Sequence, residues 1–321
     1  MTRGNIDIAP LEGYTTSVFR NVYRRHFQEP DRYFTPFIAC NRKAAKSSKE
    51  LRDLRPEENQ NISLVPQVIS NHAPECIETC KRIRELGYTE VNLNCGCPSG
   101  TVTSKGRGAG ILRDPDSLDL FLEEFFQGVP MDVSVKTRLG WEEPEEFHYI
   151  CDIYKKYPIK ELIIHPRTRQ DFYKNHPNLE AFAEAVEAFE GTNIALCYNG
   201  DIGTVQDYIR IRERFPNIDR VMIGRGVIGN PLLVEQIRNW EETGVIPDGF
   251  TGEERKRVKA YVDDLLEAFA SRMSGDTNVL YKMKAFWMYM SEYFCDGKQK
   301  KVIRKMAKLS EYPDFVNRVL G

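Results

Sequence analysis

The chain alternates between short apolar runs and longer segments whose apolar residues recur every three or four positions. Short runs rich in β-branched residues are typical of buried strands, and the longer spacing is typical of amphipathic helices. Eight runs predict strands, at Ile6–Pro10, Tyr33–Phe37, Leu64–Ile69, Glu90–Asn94, Val133–Arg138, Glu161–His165, Ile194–Asn199 and Arg220–Gly224.

Amphipathic segments lie between most of these runs. The clearest are Pro74–Leu86, Pro115–Phe126, Pro144–Lys156, Leu179–Phe189 and Val205–Arg214. Such alternation predicts parallel strands joined by helical crossovers. Eight strands within roughly 225 residues match a (β/α)8 TIM barrel better than an open doubly wound sheet. The predicted fold class is therefore α/β.

The pattern changes in the last quarter of the chain. A further helix is predicted up to Thr243, and Gly244–Gly249 is typical of a linker. Thr251 followed by Glu254 predicts a capping box. No strand pattern follows, and the helices predicted there are Glu253–Met273, Thr277–Tyr293 and Lys298–Leu309. We therefore expect a barrel over residues 1–245 and a small helical domain over residues 250–321.

Composition excludes several classes of protein. The chain has 321 residues, of which 41% are apolar and 29% charged, as in ordinary globular proteins. No run approaches the ~20 apolar residues of a membrane span, and Met1–Pro10 lacks the pattern of a secretory signal. The eight cysteines are scattered along the chain, which favours free thiols in the cytoplasm. No pair of cysteines has a second pair at the spacing that a zinc site requires. We expect a cytoplasmic monomer without a metal or a membrane contact.

Polar residues recur where the predicted strands end. Barrel active sites are built at these C-terminal ends. A lone polar residue there is more often structural, but six consecutive strands ending this way predict a site. The residues are Gln67 on the third strand, Asn92 and Asn94 on the fourth, Lys136 and Arg138 on the fifth, His165 and Arg167 on the sixth, Asn199 and Asp201 on the seventh, and Arg225 on the eighth.

Two glycine clusters follow the last two strands, at Asn199–Gly203 and Gly224–Gly226. Loops at these positions are the usual phosphate site of such barrels, because glycine lets backbone N–H groups approach the phosphate. Lys136 can stabilise negative charge on a reduced flavin, and the Gln67 amide suits the carbonyl and imide edge of the ring. The alternative for Lys136 is a buried ion pair with a carboxylate on a neighbouring strand.

A glycine-rich loop with two cations, Lys105 and Arg107, follows the fourth strand. Before it, Cys97 precedes a proline that fixes the turn. A thiol with an ordinary pKa of about 8.5 is mostly protonated at neutral pH, so Cys97 can act as a proton donor beside a flavin. The alternative is a small apolar filler, which is the expected role of Cys95 in the barrel wall.

Taken together, these motifs resemble the tRNA-dihydrouridine synthase family. The resemblance runs in order from Ile6 to about Leu232. It rests on Ala9–Gly13 with Phe19 and Arg20, Asn92–Pro98, Val135–Gly140, His165–Thr168, Asn199–Ile202 and Ile223–Gly226. Leu11 stands where the family usually has Met. Lys174–Asn178 and Lys105–Gly110 also depart from the common pattern, which leaves the subgroup and the target nucleotide open.

The resemblance implies FMN on the barrel, with NADPH or NADH as reductant, and reduction of a uridine in tRNA. Reduced FMN would give hydride to C6 of the uracil, and Cys97 would give a proton to C5. FMN would be bound by Ala9, Pro10, Leu11, Gln67, Lys136, His165, Arg167, Asn199, Gly200, Asp201, Gly224 and Arg225. Asn94 would hold the target uracil. RNA would contact Lys105, Arg107, Arg138, Lys282, Lys298, Lys301, Arg304 and Lys305.

The charge distribution agrees with an RNA partner although the net charge is only −2. Thr251–Gly321 carries 14 basic and 10 acidic residues, and the rest of the chain carries 31 and 37. A basic helical region beside an acidic barrel is a candidate nucleic-acid surface. Two alternatives stay open: a flavoenzyme acting on a free pyrimidine, of the dihydroorotate dehydrogenase type, and an RNA-binding protein whose flavin chemistry has decayed.

Overall fold

The computed structural model describes residues 3–40 and 51–321, and it confirms the α/β barrel. Within these residues, all strand pairings are parallel and join ten strands in one curled sheet. The strands are β1 (Asn5–Ile8), β2 (Arg32–Phe34), β3 (Ile38–Ala39), β4 (Leu64–Val65), β5 (Gln67–Ile69), β6 (Glu90–Cys95), β7 (Asp132–Arg138), β8 (Glu161–His165), β9 (Ala195–Tyr198) and β10 (Arg220–Ile223).

The sheet curls back on itself. Strand β1 pairs with β10 on one side and with β2 on the other, β2 pairs with β4, and β5 pairs with β6. Only Pro66 separates β4 from β5, so the predicted third strand is one stretch in two pieces. Proline has no N–H for the ladder, which is why the pairing breaks there. The eight predicted strands thus appear as ten segments, because the third is divided and β3 lies just beyond the predicted second strand, of which only Tyr33 and Phe34 belong to β2.

Helices connect the strands and cover the barrel. In the described residues they are α1 (Ser17–His26), α2 (Ala73–Glu85), α3 (Gly100–Thr103), α4 (Pro115–Gly128), α5 (Phe147–Tyr154), α6 (Leu179–Ala188), α7 (Val205–Arg214), α8 (Arg225–Gly229), α9 (Leu233–Thr243), α10 (Gly252–Ala270), α11 (Asp276–Phe294), α12 (Gly297–Lys305) and α13 (Tyr312–Leu320). No helix of the described chain is long and apolar enough to cross a membrane.

The C-terminal region agrees with the sequence except at its end. The predicted capping box of α10 is present, because Thr251 Oγ1 accepts from the Glu254 N–H at 3.1 Å and the Glu254 carboxylate accepts from the Thr251 N–H at 2.7 Å. The predicted helix Lys298–Leu309 is too long, since α12 ends at Lys305 and Met306 is extended. Helix α13 was not predicted; it begins beside Pro313, whose fixed φ suits a first turn.

The helical region packs closely on the barrel. Helix α10 lies against α1, where the rings of Phe27 and Tyr261 are 5.1 Å apart. Helix α11 lies against α8, and the ring of its Phe286 is 5.3 Å from that of Tyr14. Buried apolar residues of both regions belong to one continuous core. A deletion of the helical region would therefore expose barrel surface, so its role is better tested with point substitutions.

A buried charge cluster fills the N-terminal end of the barrel. Arg32 donates to the carboxylates of Asp7 at 2.6 Å and Glu161 at 2.5 Å. Burial raises the pKa of Asp7 and raises that of Glu161 to about 7. This end of a barrel contributes to stability, because the active sites of such folds lie at the opposite end.

Candidate active site

Two adjoining cavities open at the C-terminal ends of the strands. The smaller, of about 70 Å³, is lined by ten of the twelve residues predicted to bind the cofactor. The larger, of about 340 Å³, lies between the two glycine loops and α11. The ten residues are Ala9, Pro10, Leu11, Lys136, His165, Asn199, Gly200, Asp201, Gly224 and Arg225. The other two, Gln67 and Arg167, are buried behind the cavity wall.

Lys136 enters the smaller cavity from β7 without a partner. In the described residues its ammonium makes no hydrogen bond and no ion pair, so the alternative of a buried ion pair with a neighbouring strand finds no support. Burial and the nearby Arg138 lower its pKa to about 8. An ammonium held this way lacks a counter-charge, and an anionic ligand in the cavity would supply one.

His165 and Arg167 form a short polar chain at the end of β8. Arg167 Nη1 lies 2.9 Å from His165 Nε2. Because a guanidinium can only donate, Nε2 is the acceptor and the ring proton lies on Nδ1. Burial and the surrounding arginines hold the pKa of His165 well below its usual range, so the ring is neutral. His165 lines the smaller cavity, and its Nδ1–H has no acceptor among the described residues.

Asp201 joins the two arginines of the site. It accepts from Arg167 at 2.5 Å and from Arg225 at 2.6 Å, and these contacts lower the pKa of its carboxyl against the effect of burial. A carboxylate would repel a phosphate, so Asp201 is suited to hold the arginines in place. Arg225 keeps other donors of its guanidinium for an anion.

The glycine loops bring unbonded N–H groups to the larger cavity. Within the described chain, the main-chain N–H groups of Asp201, Arg225 and Gly226 have no acceptor. A Cβ at Gly226 would lie 2.0 Å from the carbonyl oxygen of Ile202, so the two loops can meet only because residue 226 is glycine. Unbonded N–H groups beside an arginine form the kind of concave site that binds a phosphate.

Cys97 is held firmly at the end of β6. Its N–H donates to Asn94 Oδ1 at 2.9 Å, and its carbonyl accepts from the Ala109 N–H at 3.0 Å. Burial raises the pKa of the Cys97 thiol, which is therefore protonated at neutral pH. Cys95, by contrast, is fully buried, and burial raises its pKa to about 12. Cys97 is the thiol of this loop that can donate a proton.

Several residues predicted to contact the uracil or RNA have partners within the protein. Asn94 Oδ1 accepts from the N–H groups of both Gly96 and Cys97. Arg138 is buried and donates to the carbonyl oxygens of Gly96, Thr168 and Phe172 at 2.7–2.9 Å. Both side chains thus hold the loops of the mouth, and their contacts with substrate stay a prediction.

The predicted RNA-contacting cations fall into two groups. Lys282 is half-buried and donates to the carbonyl of Gly13, and Arg107 donates to Asn71 at 3.2 Å. The others are exposed cations whose side chains have no hydrogen bond or ion pair in the described part of the chain: Lys105, Lys298, Lys301, Arg304 and Lys305. Four of these lie on α12, which makes this helix the main free basic surface.

Sequence reasoning missed several aromatic residues of the site. Tyr173 lines the smaller cavity, and its ring lies 4.5 Å below the guanidinium of Arg225. Tyr289 and Tyr293 of α11 line the larger cavity, and Tyr293 donates to the carbonyl of Gly203 at 3.1 Å. The spacing of the two α11 tyrosines placed them on one helix face, but only the packing of α11 over the loops shows that this face meets the site.

A further cluster of cations and aromatic rings lies in the loops that follow β6, β7 and β8. The guanidinium groups of Arg113 and Arg169 lie 4.0 Å and 4.6 Å from the ring of Trp141. Phe172, three residues after Arg169 in the chain, has a φ of 49°, a left-handed conformation that is rare for a bulky residue. Its carbonyl is held by Arg138.

Fold and site together define a (β/α)8-barrel enzyme with a cavity lined by cations and glycine loops at the C-terminal ends of its strands. Comparison with family models assigns residues 7–317 to the family described as "Dihydrouridine synthase (Dus)". The chain belongs to the dihydrouridine synthase family.

Known relatives agree with this assignment, and a solved structure shares the fold. A probable tRNA-dihydrouridine synthase of Staphylococcus aureus is 31% identical over 241 residues, which cover 71% of this chain and 70% of the relative. A tRNA-dihydrouridine(16) synthase of Shigella flexneri is also 31% identical, with coverage of 72% and 74%. A mutant of morphinone reductase in complex with tetrahydroNAD has a TM-score of 0.50 at 12% identity, covering 73% of this chain and 86% of its own. At that identity the likeness shows the fold alone.

Proposed function

We propose that this enzyme reduces specific uridines of tRNA to 5,6-dihydrouridine with FMN as cofactor and NADPH as reductant. The observation that carries the proposal is the unpartnered ammonium of Lys136, in a cavity that continues to two glycine loops with unbonded N–H groups. A flavin ring with a terminal phosphate has an anion at one end and an electron-accepting ring at the other. Family membership and the names of the relatives support the RNA substrate.

The residues present fit FMN. Lys136 would stand against the ring and supply positive charge where negative charge develops, and the neutral His165 would donate from Nδ1. Arg225 and the N–H groups of residues 201, 225 and 226 would hold the phosphate. When bound, FMN supplies the hydride that the C6 atom of the uracil requires.

The remaining chemistry belongs to the chain. Cys97 gives its proton to C5 of the uracil, so that hydride and proton together saturate the C5–C6 bond. The raised pKa of the thiol keeps this proton in place until the acceptor arrives. Thiolate left on Cys97 regains a proton from solvent before the next turnover.

The RNA must present an unstacked base to this cavity, because the reacting face of a uracil is covered in a helical stack. The exposed cations of α12, Lys298, Lys301, Arg304 and Lys305, would hold the RNA backbone outside the cavity. The eight free cysteines are consistent with a reducing compartment, and we place the protein in the cytoplasm as a monomer.

The test uses the purified protein with FMN, NADPH and an unmodified tRNA transcript, and measures dihydrouridine by mass spectrometry of the digested RNA. We expect product with wild type, and from Cys97→Ala a loss of at least about 100-fold with flavin absorbance retained. Free uracil and orotate are offered in parallel. Turnover of a free pyrimidine without RNA reduction would support the dihydroorotate dehydrogenase type. A protein that binds RNA but stays colourless with FMN would support decayed flavin chemistry.

A further inference from the structure

A line of hydrogen bonds runs through the barrel from its floor to the Cys97 loop. At the floor, Ser134 Oγ donates to Glu90 Oε1 at 3.1 Å. The bonds then continue upward from Asn92 Nδ2 to Ser134 Oγ at 3.0 Å, from Gln67 Nε2 to Asn92 Oδ1 at 2.7 Å, and from Asn94 Nδ2 to Gln67 Oε1 at 2.8 Å. At the top, Asn94 Oδ1 accepts from the N–H groups of Gly96 and Cys97.

The strand register explains why these side chains line up. Glu90, Asn92 and Asn94 alternate along β6, so they point to the same face of the sheet. Asn92 lies opposite Gln67 on one neighbouring strand and opposite Ser134 on the other. Asn92 and Ser134 are fully buried and Gln67 is 1% exposed, so water does not compete for their bonds.

Both ends of the line have a fixed polarity. The carboxylate of Glu90 only accepts, and the backbone N–H groups at the top only donate. Each of the three amides between them has one oxygen and one NH₂ group, and the Ser134 hydroxyl has a single proton. Only one direction satisfies every bond, with each donor pointing toward Glu90. The floor carboxylate therefore helps to decide which way the Asn94 amide faces.

We infer that Glu90 and Ser134 are positioning residues for Cys97. They orient the amides of Asn92, Gln67 and Asn94 so that the Asn94 oxygen holds the backbone of the thiol loop. Glu90→Gln would offer a donor at the floor and permit the opposite direction, which points NH₂ of Asn94 at two N–H groups. Ser134→Ala would interrupt the line. That the position of the Cys97 loop matters for catalysis rests on the proposed function of Cys97. That the line of hydrogen bonds holds the loop does not rest on that function.

The first measurement is the rate at which iodoacetamide alkylates Cys97 in the full-length protein without RNA or reductant. Peptide mass spectrometry separates Cys97 from Cys295, the other incompletely buried thiol, which serves as internal reference. Glu161→Gln is the matched control, because Glu161, like Glu90, is ion-paired with Arg32 at the barrel floor but lies outside the line. Both substitutions replace a carboxyl group by an amide at the same end of the barrel.

We expect alkylation of Cys97 to be about fivefold faster in Ser134→Ala and Glu90→Gln, the effect of about one net hydrogen bond on the looser loop. Glu161→Gln should match wild type. With tRNA, kcat should fall about fivefold while KM is unchanged. Ser134→Thr keeps the hydroxyl and should restore both values.

Wild-type alkylation rates in both Ser134→Ala and Glu90→Gln would overturn the inference, and so would an equal change in Glu161→Gln. If one variant fails to fold, the other decides. Because alkylation involves neither RNA reduction nor hydride transfer, its result is separate from that of the proposed function. An enzyme that makes no dihydrouridine would refute the proposed function and leave the alkylation result standing.

Discussion

Replacing Lys136 by Met should make the cofactor-free protein more stable and its cofactor binding weaker. The Lys136 ammonium has no partner in the described chain, and its surroundings lower its pKa from 10.5 to about 8. At about 1.36 kcal/mol per pH unit, this difference corresponds to about 3.4 kcal/mol against the charged form. Because the ammonium keeps some contact with water in the cavity, we expect a gain of about 1–3 kcal/mol at pH 7.

The sign of the pH dependence is fixed by the direction of this change. Between about pH 8 and 10.5 the unfolded chain binds more protons at Lys136 than the folded chain does. The stability of the cofactor-free wild type should therefore rise with pH across this window, and below pH 8 the cost of the charge is fully present. The advantage of Lys136→Met should be largest at pH 7 and should shrink toward pH 10.5.

Urea unfolding of flavin-free protein at pH 7 and pH 9.5 measures this difference. Lys160→Met is the control, because Lys160 is ion-paired with Glu90 and Asp132, which raise its pKa. The same substitution there removes favourable contacts and should not stabilise. Titration of FMN into Lys136→Met should show weaker binding. If Lys136→Met is destabilised at pH 7, or gains the same amount at both pH values, the reasoning about an uncompensated charge is wrong.

Three further predictions concern other parts of the molecule. Gly226→Ala should lose FMN, because the new Cβ would lie 2.0 Å from a carbonyl oxygen of the neighbouring loop. The control Gly100→Ala should retain FMN, because a Cβ at residue 100 would have no atom within 4 Å. The ratio of flavin to protein after gel filtration measures both. In the wild type, the raised pKa of Glu161 should make the free energy of unfolding fall as pH rises from about 4.5 to 7, because the folded chain then holds a proton that the unfolded chain has lost. Urea unfolding of Glu161→Gln should not show this fall. Lys301→Gln combined with Lys305→Gln should weaken tRNA binding and lower its salt slope by about 1.5; an unchanged slope would exclude phosphate contacts at these positions.

Much of the site follows from the sequence because it depends on one regular feature. In parallel strands joined by helical crossovers, all C-terminal ends meet at the same mouth. Residues that end successive strands must then be neighbours, however far apart they lie in the chain. This is why Lys136, His165 and Asn199, predicted from separate strands, line one cavity. The two glycine loops were predictable for the same reason.

Hydrogen-bond partners were not predictable in this way. Arg138 looks like a substrate ligand in the sequence, but its donors reach three carbonyls in two loops, whose paths the sequence pattern does not describe. Lys282 counts toward the basic charge of the helical region, but in the structure it donates to the carbonyl of Gly13. The charge of a side chain and its position along the chain are local properties. Its hydrogen-bond partners depend on which distant loops the fold brings next to it.

The sequence by itself determined the alternation of strands and helices in the barrel, the end of the barrel that holds the site, and the family. These features depend on periodicity and on local motifs, which can be read from the sequence without knowing how the chain packs. Only the tertiary structure decided that Lys136 has no partner among the described residues, that Tyr173 and Tyr293 join the site, and that Glu90 is connected to Cys97. The physical reason is that burial and hydrogen-bond direction arise from residues brought together across strands, where register and loop closure set each distance.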